Sequence, residues 1–266
     1  MLNIIYERKN NSLDILGVKS LGDATNTIIT KSIGGIESFL KIVCKPAFEE
    51  FGLMLGDKVR HWRVNNIINV LEKSQDKLEF RDNKLELKIN PRIALGIIEN
   101  ASLTDENELQ DLWSGLFAAS CNHDEKNDEN IIFIDFLKSI TCTQAKILKY
   151  VCENSIKVIY NNGLMTSEKL ILNVDKLKEI SGILDLYRLD RELDHLAHLN
   201  LIGQDIFNGS GGIKISDFTA NVTPTTLALN LYVRCNGYNG DPQFYWTNNI
   251  IHKKIFGNKN YYSDWF

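Results

Sequence analysis

The feature that most constrains this chain is an apolar repeat at steps of three and four residues. Leu109, Leu112, Trp113, Leu116 and Phe117 fall at i, i+3, i+4, i+7 and i+8. Successive residues of a helix turn by about 100°, so this spacing gathers all five on one face. The same rule runs through Phe48, Phe51, Leu55, Val59 and Trp62, then Val64, Ile67, Ile68, Leu71 and Leu78. Strands alternate their side chains with period two and cannot use such a pattern. The repeat therefore predicts one long helix over 46–77 and a second over 102–120. Pro46 suits a first helical turn. Asp105, Glu106 and Glu108 would place negative charge at the positive end of the second helix dipole. Gly52 and Gly56, spaced G-x-x-x-G, each cost a helix about 1 kcal/mol against Ala. Close approach by a neighbouring helix is the expected compensation.

The rest of the chain divides around these helices. Residues 1–35 are polar and glycine-bearing, and predict a weakly structured arm. Asn90 can cap a helix that Pro91 begins. The run CNHDEKNDEN at 121–130 is an acidic polar loop, and IIFIDFLKSI at 131–140 returns to apolar character. Thr141 and Gln144 form a capping box for the next helix. A helix over 174–181 is closed by Gly182. Another over 185–199 is opened by Asp185 and closed by Asn200. LIGQDIF, the turn NGSGG and GIKISDF then predict strand, turn, strand. Thr223 and Pro224 open a last helix, which Gly237 can close. Three helices, a hairpin and a helix make a winged-helix-like unit. The expected fold is thus mainly α: an N-terminal helical bundle over 36–130, followed by a winged-helix-like α+β domain over 131–237. Residues 238–266 form an aromatic-rich segment that docks on its own protein or meets a partner.

Composition narrows the function. The 266 residues are 44 % hydrophobic and 24 % charged, with formal net charge −4. That is enough apolar content for a real core, and no part is strongly basic, as a free nucleic-acid binder would be. The five cysteines, Cys44, Cys121, Cys142, Cys152 and Cys235, are odd in number and widely spaced, which predicts buried reduced thiols. The N-terminus carries no signal-peptide pattern, and no stretch approaches the ~20 apolar residues of a membrane span. A cytoplasmic location is expected.

Candidate sites are few. G-x-S-x-G, G-x-x-x-x-G-K-[ST] and H-E-x-x-H are all absent from the sequence. His195 and His198 share a helix face, and His123 lies near Cys121 and Asp124, but neither group has the paired spacing of a structural zinc site. No enzyme activity, cofactor or metal is expected. In the winged-helix-like unit Arg188, Arg191, His195 and His198 are opposed by Asp185, Asp190, Glu192 and Asp194, which leaves little surplus charge for phosphates. The one basic cluster is Lys58, Arg60, His61 and Arg63 around Trp62. It either pairs with nearby acids such as Asp57 or meets an anion or partner.

Two segments carry a resemblance. FEEFGLMLGDKVRHWRVNNIINVLEKSQDKL at 48–78 and IIENASLTDENELQDLWSGLFAAS at 97–120 resemble the abortive-infection alpha family of bacterial proteins. The matching residues are Gly56, Asp57, Val59, Arg60, Trp62 and Arg63 in the first. In the second they are Glu99, Ala101, Ser102, Leu103, Asp105, Leu109, Gln110, Asp111, Leu112, Trp113 and Leu116. Ser114 stands where an alanine often follows the tryptophan. The resemblance runs loosely from about 36 to 235 and implies a role in defence against phage, with no agreed catalytic site. The expected function is non-enzymatic abortive infection acting through protein–protein contacts or self-association. Arg60, Trp62, Arg63, Gln110, Asp111 and Trp113 are the expected binding residues, with Asp111 pairing Arg60 or Arg63. The rivals are a winged-helix DNA-binding regulator and a membrane-active toxin built on the Gly52/Gly56 helix.

Overall fold

The computed structural model describes residues 35–36, 38–44, 60–78, 87–124, 126–160, 163–203, 207–208 and 219–249. Among these the chain is mainly helical. The named helices are α1 (Arg60–Leu78), α2 (Pro91–Ala101), α3 (Asn107–Ser120), α4 (Ile131–Ser139), α5 (Cys142–Asn154), α6 (Val174–Ser181), α7 (Leu186–His198), α8 (Thr226–Cys235) and α9 (Pro242–Asn249). Short strands lie between them: β1 (Lys157–Ile159), β2 (Met165–Ser167), β3 (Ile171–Asn173), β4 (Phe207–Asn208) and β5 (Thr219–Asn221). Residues 1–34 of the expected arm, residues 46–59 with Gly52, Gly56 and Lys58, the turn at 209–212, and 250–266 of the aromatic segment lie outside the described residues. The chain divides into two compact units, residues 1–138 with 234–239, and residues 139–233 with 240–266.

In the first unit α1 packs chiefly on α3, and α2 on α3. Ile67 and Leu71 of α1, Ile93, Ile97 and Ile98 of α2, and Trp113, Leu116 and Phe117 of α3 are all fully buried. Each such side chain contributes about 1.5–3 kcal/mol of burial. Phe39 rests against Phe117, with ring centroids 6.0 Å apart. Asn90 caps α2 through a bond from the Arg92 amide, and Pro91 is its first residue, as the sequence predicts. The start of α3 differs from expectation. It begins at Asn107 behind Glu106, which makes no side-chain cap, and only Glu108 falls in the first turn. Residues 102–104 form a turn instead, because Ser102 closes α2 by bonding back to Ile98. Gly115 explains how α3 accepts the end of α8: a Cβ there would stand 1.5 Å from the Cys235 carbonyl oxygen.

In the second unit the helix ends follow their sequence cues, whereas the expected strands at 201–207 and 212–218 give, among the described residues, only β4 and β5, with 204–206 and 213–218 outside them. Thr141 Oγ1 accepts from the Gln144 amide at 3.1 Å, and Gln144 Oε1 accepts from the Thr141 amide at 3.0 Å, completing the capping box of α5. Gly182, at φ 72°, ends α6. Asp185 caps α7, and Asn200 ends that segment at φ 57°. β3, β5 and β4 form one antiparallel sheet in that order, with Ile171 opposite Asn221 and Phe207 opposite Ala220. β1 and β2 form a separate hairpin, with Val158 opposite Thr166. Neither β3 nor this hairpin shows in the apolar pattern, because three-residue strands are too short to establish a period. The dipeptide Asn162-Gly163 was the available cue, with Gly163 at φ 83°. On α9, Trp246 stacks on Tyr232 with centroids 5.4 Å apart and receives the Lys157 ammonium 4.1 Å from its ring centre.

Candidate functional site

The two motif segments meet at the turn between α2 and α3. Ser102 sits there, fully buried. Its hydroxyl donates to the Glu99 carbonyl at 2.7 Å and accepts from Arg63 Nε of α1 at 3.0 Å. Its carbonyl accepts from Asn66 Nδ2, one turn further along α1, at 3.0 Å. Arg63 and Asn66 are three residues apart, the spacing that stacks side chains on one helix face, so both reach a single residue. At the first turn of α3, the buried Gln110 donates its amide to the Thr104 carbonyl at 3.0 Å, holding the same turn from the α3 side. Buried polar groups left unpaired cost about 1–3 kcal/mol each, and this set satisfies one another.

Further along, the junction is ionic at its rim. Lys73 Nζ of α1 lies 2.8 Å from Asp111 Oδ1 of α3 and also bonds Asn107. Lys77 Nζ donates to the Asp111 carbonyl at 2.6 Å and to Ser114 Oγ at 2.8 Å. Ser74 Oγ, buried between them, donates to the Ser114 carbonyl at 3.1 Å. Ser114 therefore has a use that alanine would lack: its hydroxyl receives Lys77.

The six sequence-selected residues part company here. Trp113 is buried under the junction as core. Arg63 joins the two motifs through Ser102, and Gln110 braces the turn within the second motif. Asp111 does not pair with Arg63. Its partner is Lys73, ten residues or roughly 15 Å further along the same helix. The side chain of Arg60, like that of His61, lies outside the described residues. Trp62, expected on the apolar face, is 38 % exposed and donates its ring N–H to Asp105 Oδ2 at 3.3 Å. It precedes Ile67 by five residues, which on a helix is about 140° away from the buried stripe. Trp62 and the 56 % exposed Leu103 are the apolar groups this turn shows to solvent. Asn66, Lys73, Ser74 and Lys77 were missed. Asn66 and Ser74 had a visible mark: small polar residues within a buried apolar face demand a specific partner.

Other candidates stand apart. His195 Nδ1 meets Gln144 Oε1 at 3.1 Å, an oxygen that already accepts from Thr141, so the ring nitrogen carries the proton. Glu192 accepts from Thr141 Oγ1 at 2.8 Å in the same network. Among the described residues no group of three or more His, Cys, Asp or Glu is placed to hold a metal ion. Four cysteines are buried and Cys142 is half-buried. Burial pushes the Cys235 thiol up to about 12, against a smaller opposing pull from Lys77. Burial first, then neighbouring Tyr245 and Glu153, holds the Tyr232 phenol well above its ordinary range.

A mainly helical protein whose two sequence motifs lock a helix to a turn is the class these features define. The chain belongs to the abortive infection alpha family, whose model matches residues 63–214. The match takes in Arg63, the whole Ser102–Ser114 junction and α7. No curated protein and no solved structure matches the chain. No described helix is long and apolar enough to cross a membrane.

Proposed function

We propose that the protein is a cytoplasmic, non-enzymatic abortive-infection factor that acts against phage through protein–protein contacts. Membership of the abortive infection alpha family over residues 63–214 is the observation that carries this. The contact mechanism draws on the junction itself. Arg63 and Asn66 engage Ser102, and Gln110 holds Thr104 of the same turn, an arrangement that sets a shape. The helical domain over 36–130, a bundle organised by α1, α2 and α3, serves as scaffold and presents Trp62 and Leu103. The domain over 131–237 serves as docking module with a winged-helix-like plan. The order α5, α6, α7, then the β4–β5 ribbon, then α8, supports that plan.

Phage challenge of cells with and without the gene tests the reading. Reduced plating with early death of infected cells is expected, and equal plating across a broad phage panel overturns it. Trp62→Ala separates contact from packing, because the ring is exposed at the rim and not one of the fully buried core side chains. Lost protection with an unchanged melting temperature marks the turn as a working surface. The DNA-binding alternative is weaker on charge, since Arg188 is already near Glu192 at 3.7 Å and Asp190 and Asp194 share the helix. Absence of duplex binding at about 50 mM salt, where phosphate attraction is strongest, removes it.

A further inference from the structure

The most exposed large apolar side chains among the described residues are Leu184 and Tyr187, 81 % and 80 % accessible. They flank the Asp185 cap at the start of α7. The inward face of that helix is committed: Leu189, Glu192, Leu193, Leu196 and Ala197 are buried. The outward face is a narrow stripe of Tyr187, Arg191, Asp194 and His198, all exposed. These lie at i, i+4, i+7 and i+11, within about 60° of one another around the axis. Arg191 and Asp194 make no ion pair among the described residues.

The order of these side chains is self-complementary. If a second α7 is laid antiparallel across a two-fold axis between residues 192 and 193, Arg191 of one copy faces Asp194 of the other, and the reverse pair forms by symmetry. Tyr187 then faces His198 of the second copy, with Leu184 beyond it. A two-fold interface requires one patch to match itself in this way, and a cation and an anion placed evenly about the centre satisfy that requirement. A parallel alignment sets Arg191 against Arg191 and is repelled. Tyrosine and arginine are also the residue types that carry most binding energy at interfaces.

We infer that the outward face of α7 is a homodimer interface, its occupant a second copy of this chain paired antiparallel through reciprocal Arg191–Asp194 contacts and capped by Tyr187 and Leu184. The inference rests on the reading that the protein works by contact, and it names the surface. A single helix pair buries less than the ~1,600 Å² of a standard interface, so association is weak and concentration-dependent.

Sedimentation velocity on the full chain, from about 1 to about 500 µM, reads this directly as a monomer–dimer shift. Arg191→Asp and Asp194→Arg are each expected to weaken dimerisation by about tenfold or more, and Tyr187→Ser similarly. The double variant R191D/D194R restores the opposite-charge pairs and is expected to recover dimerisation. All substituted side chains are exposed, so circular dichroism should be unchanged. A chain that stays monomeric throughout overturns the inference. So does a dimer indifferent to these substitutions, or one not recovered by the double variant. A monomer that binds duplex DNA through α7 overturns it in favour of nucleic acid. Each outcome is read on purified protein, whereas the defence reading stands or falls on plating.

Discussion

Asn66 and Asp111 both sit where α1 meets the second motif, yet the same substitution should affect them very differently. Asn66 is buried and donates to the Ser102 carbonyl. Asn66→Ala leaves that carbonyl without its donor and opens a small void, and is expected to lower unfolding free energy by about 1–3 kcal/mol. Asp111 is a rim residue with half its side chain in water, paired with a lysine that is itself partly exposed. Such pairs contribute about 0–1 kcal/mol, so Asp111→Ala should leave chemical denaturation nearly unchanged. A loss above 2 kcal/mol at Asp111 would mean that the pair is not a rim contact. This contrast also shows what the sequence could say about single residues. Trp113 and the capping residues Asn90, Thr141 and Asp185 declare themselves, because their roles depend on near neighbours in the chain. Asp111 does not: its partner is chosen by the angle between two helices, which no local pattern records. Trp62 was misplaced for a related reason, since a stripe extended by steps of three drifts around the helix.

At the scale of elements, α3 at Gly115 lies directly against the Cys235 end of α8. The Cys235 carbonyl lies where any side chain at 115 would begin. Gly115→Ala ordinarily favours a helix by about 1 kcal/mol. Here the methyl has no space, and separating two backbones is expected to reverse the sign and cost about 1–3 kcal/mol in thermal or chemical unfolding. A stabilised G115A protein would show that the Cys235 carbonyl does not lie against α3 as described. Periodicity made α1 from Arg60 onward and the body of α3 legible, and α6 and α7 matched to within a residue because a cap and a left-handed residue mark both ends. The three-residue strands were not. β3 belongs to a sheet only because β5, nearly fifty residues on, supplies its partner, with Leu172 opposite Ala220. That pairing is a tertiary fact with no local trace beyond a few β-branched residues.

The whole molecule should be most vulnerable at alkaline pH. Cys235 and Tyr232, one in each unit, both hold their protons more tightly when folded than when unfolded. The unfolded chain therefore loses these protons first as pH rises, near the ordinary thiol value of 9.0. The stability they contribute is complete below that value and falls away between about pH 9 and 12. Melting temperature is expected to be flat from pH 7 to 8.5 and to drop steeply beyond. Cys235→Ala should soften the early part of the drop, and an equal decline in that variant would place the cause elsewhere.

The chain path sets a second whole-molecule expectation. Residues 234–239 belong to the first unit although they interrupt the second in sequence. Arg234 reaches Glu129 at 3.4 Å and the Tyr238 carbonyl at 3.1 Å, and Cys235 covers Gly115. A fragment ending at residue 138 therefore keeps α1, α2 and α3 but uncovers the side of α3 that carries Gly115, and leaves Glu129 without this arginine. Native burial there is backbone against backbone, so no side chain of the fragment can move in to replace it. Amide exchange along α3 is expected to be faster in the fragment than in the full chain, with the largest change in the turns around Gly115, Ala118 and Ala119. Gly237, whose neighbours are Lys77 and Ala118, fixes the far edge of that region. Equal protection of α3 in fragment and full chain would mean that the first unit is complete without the returning segment.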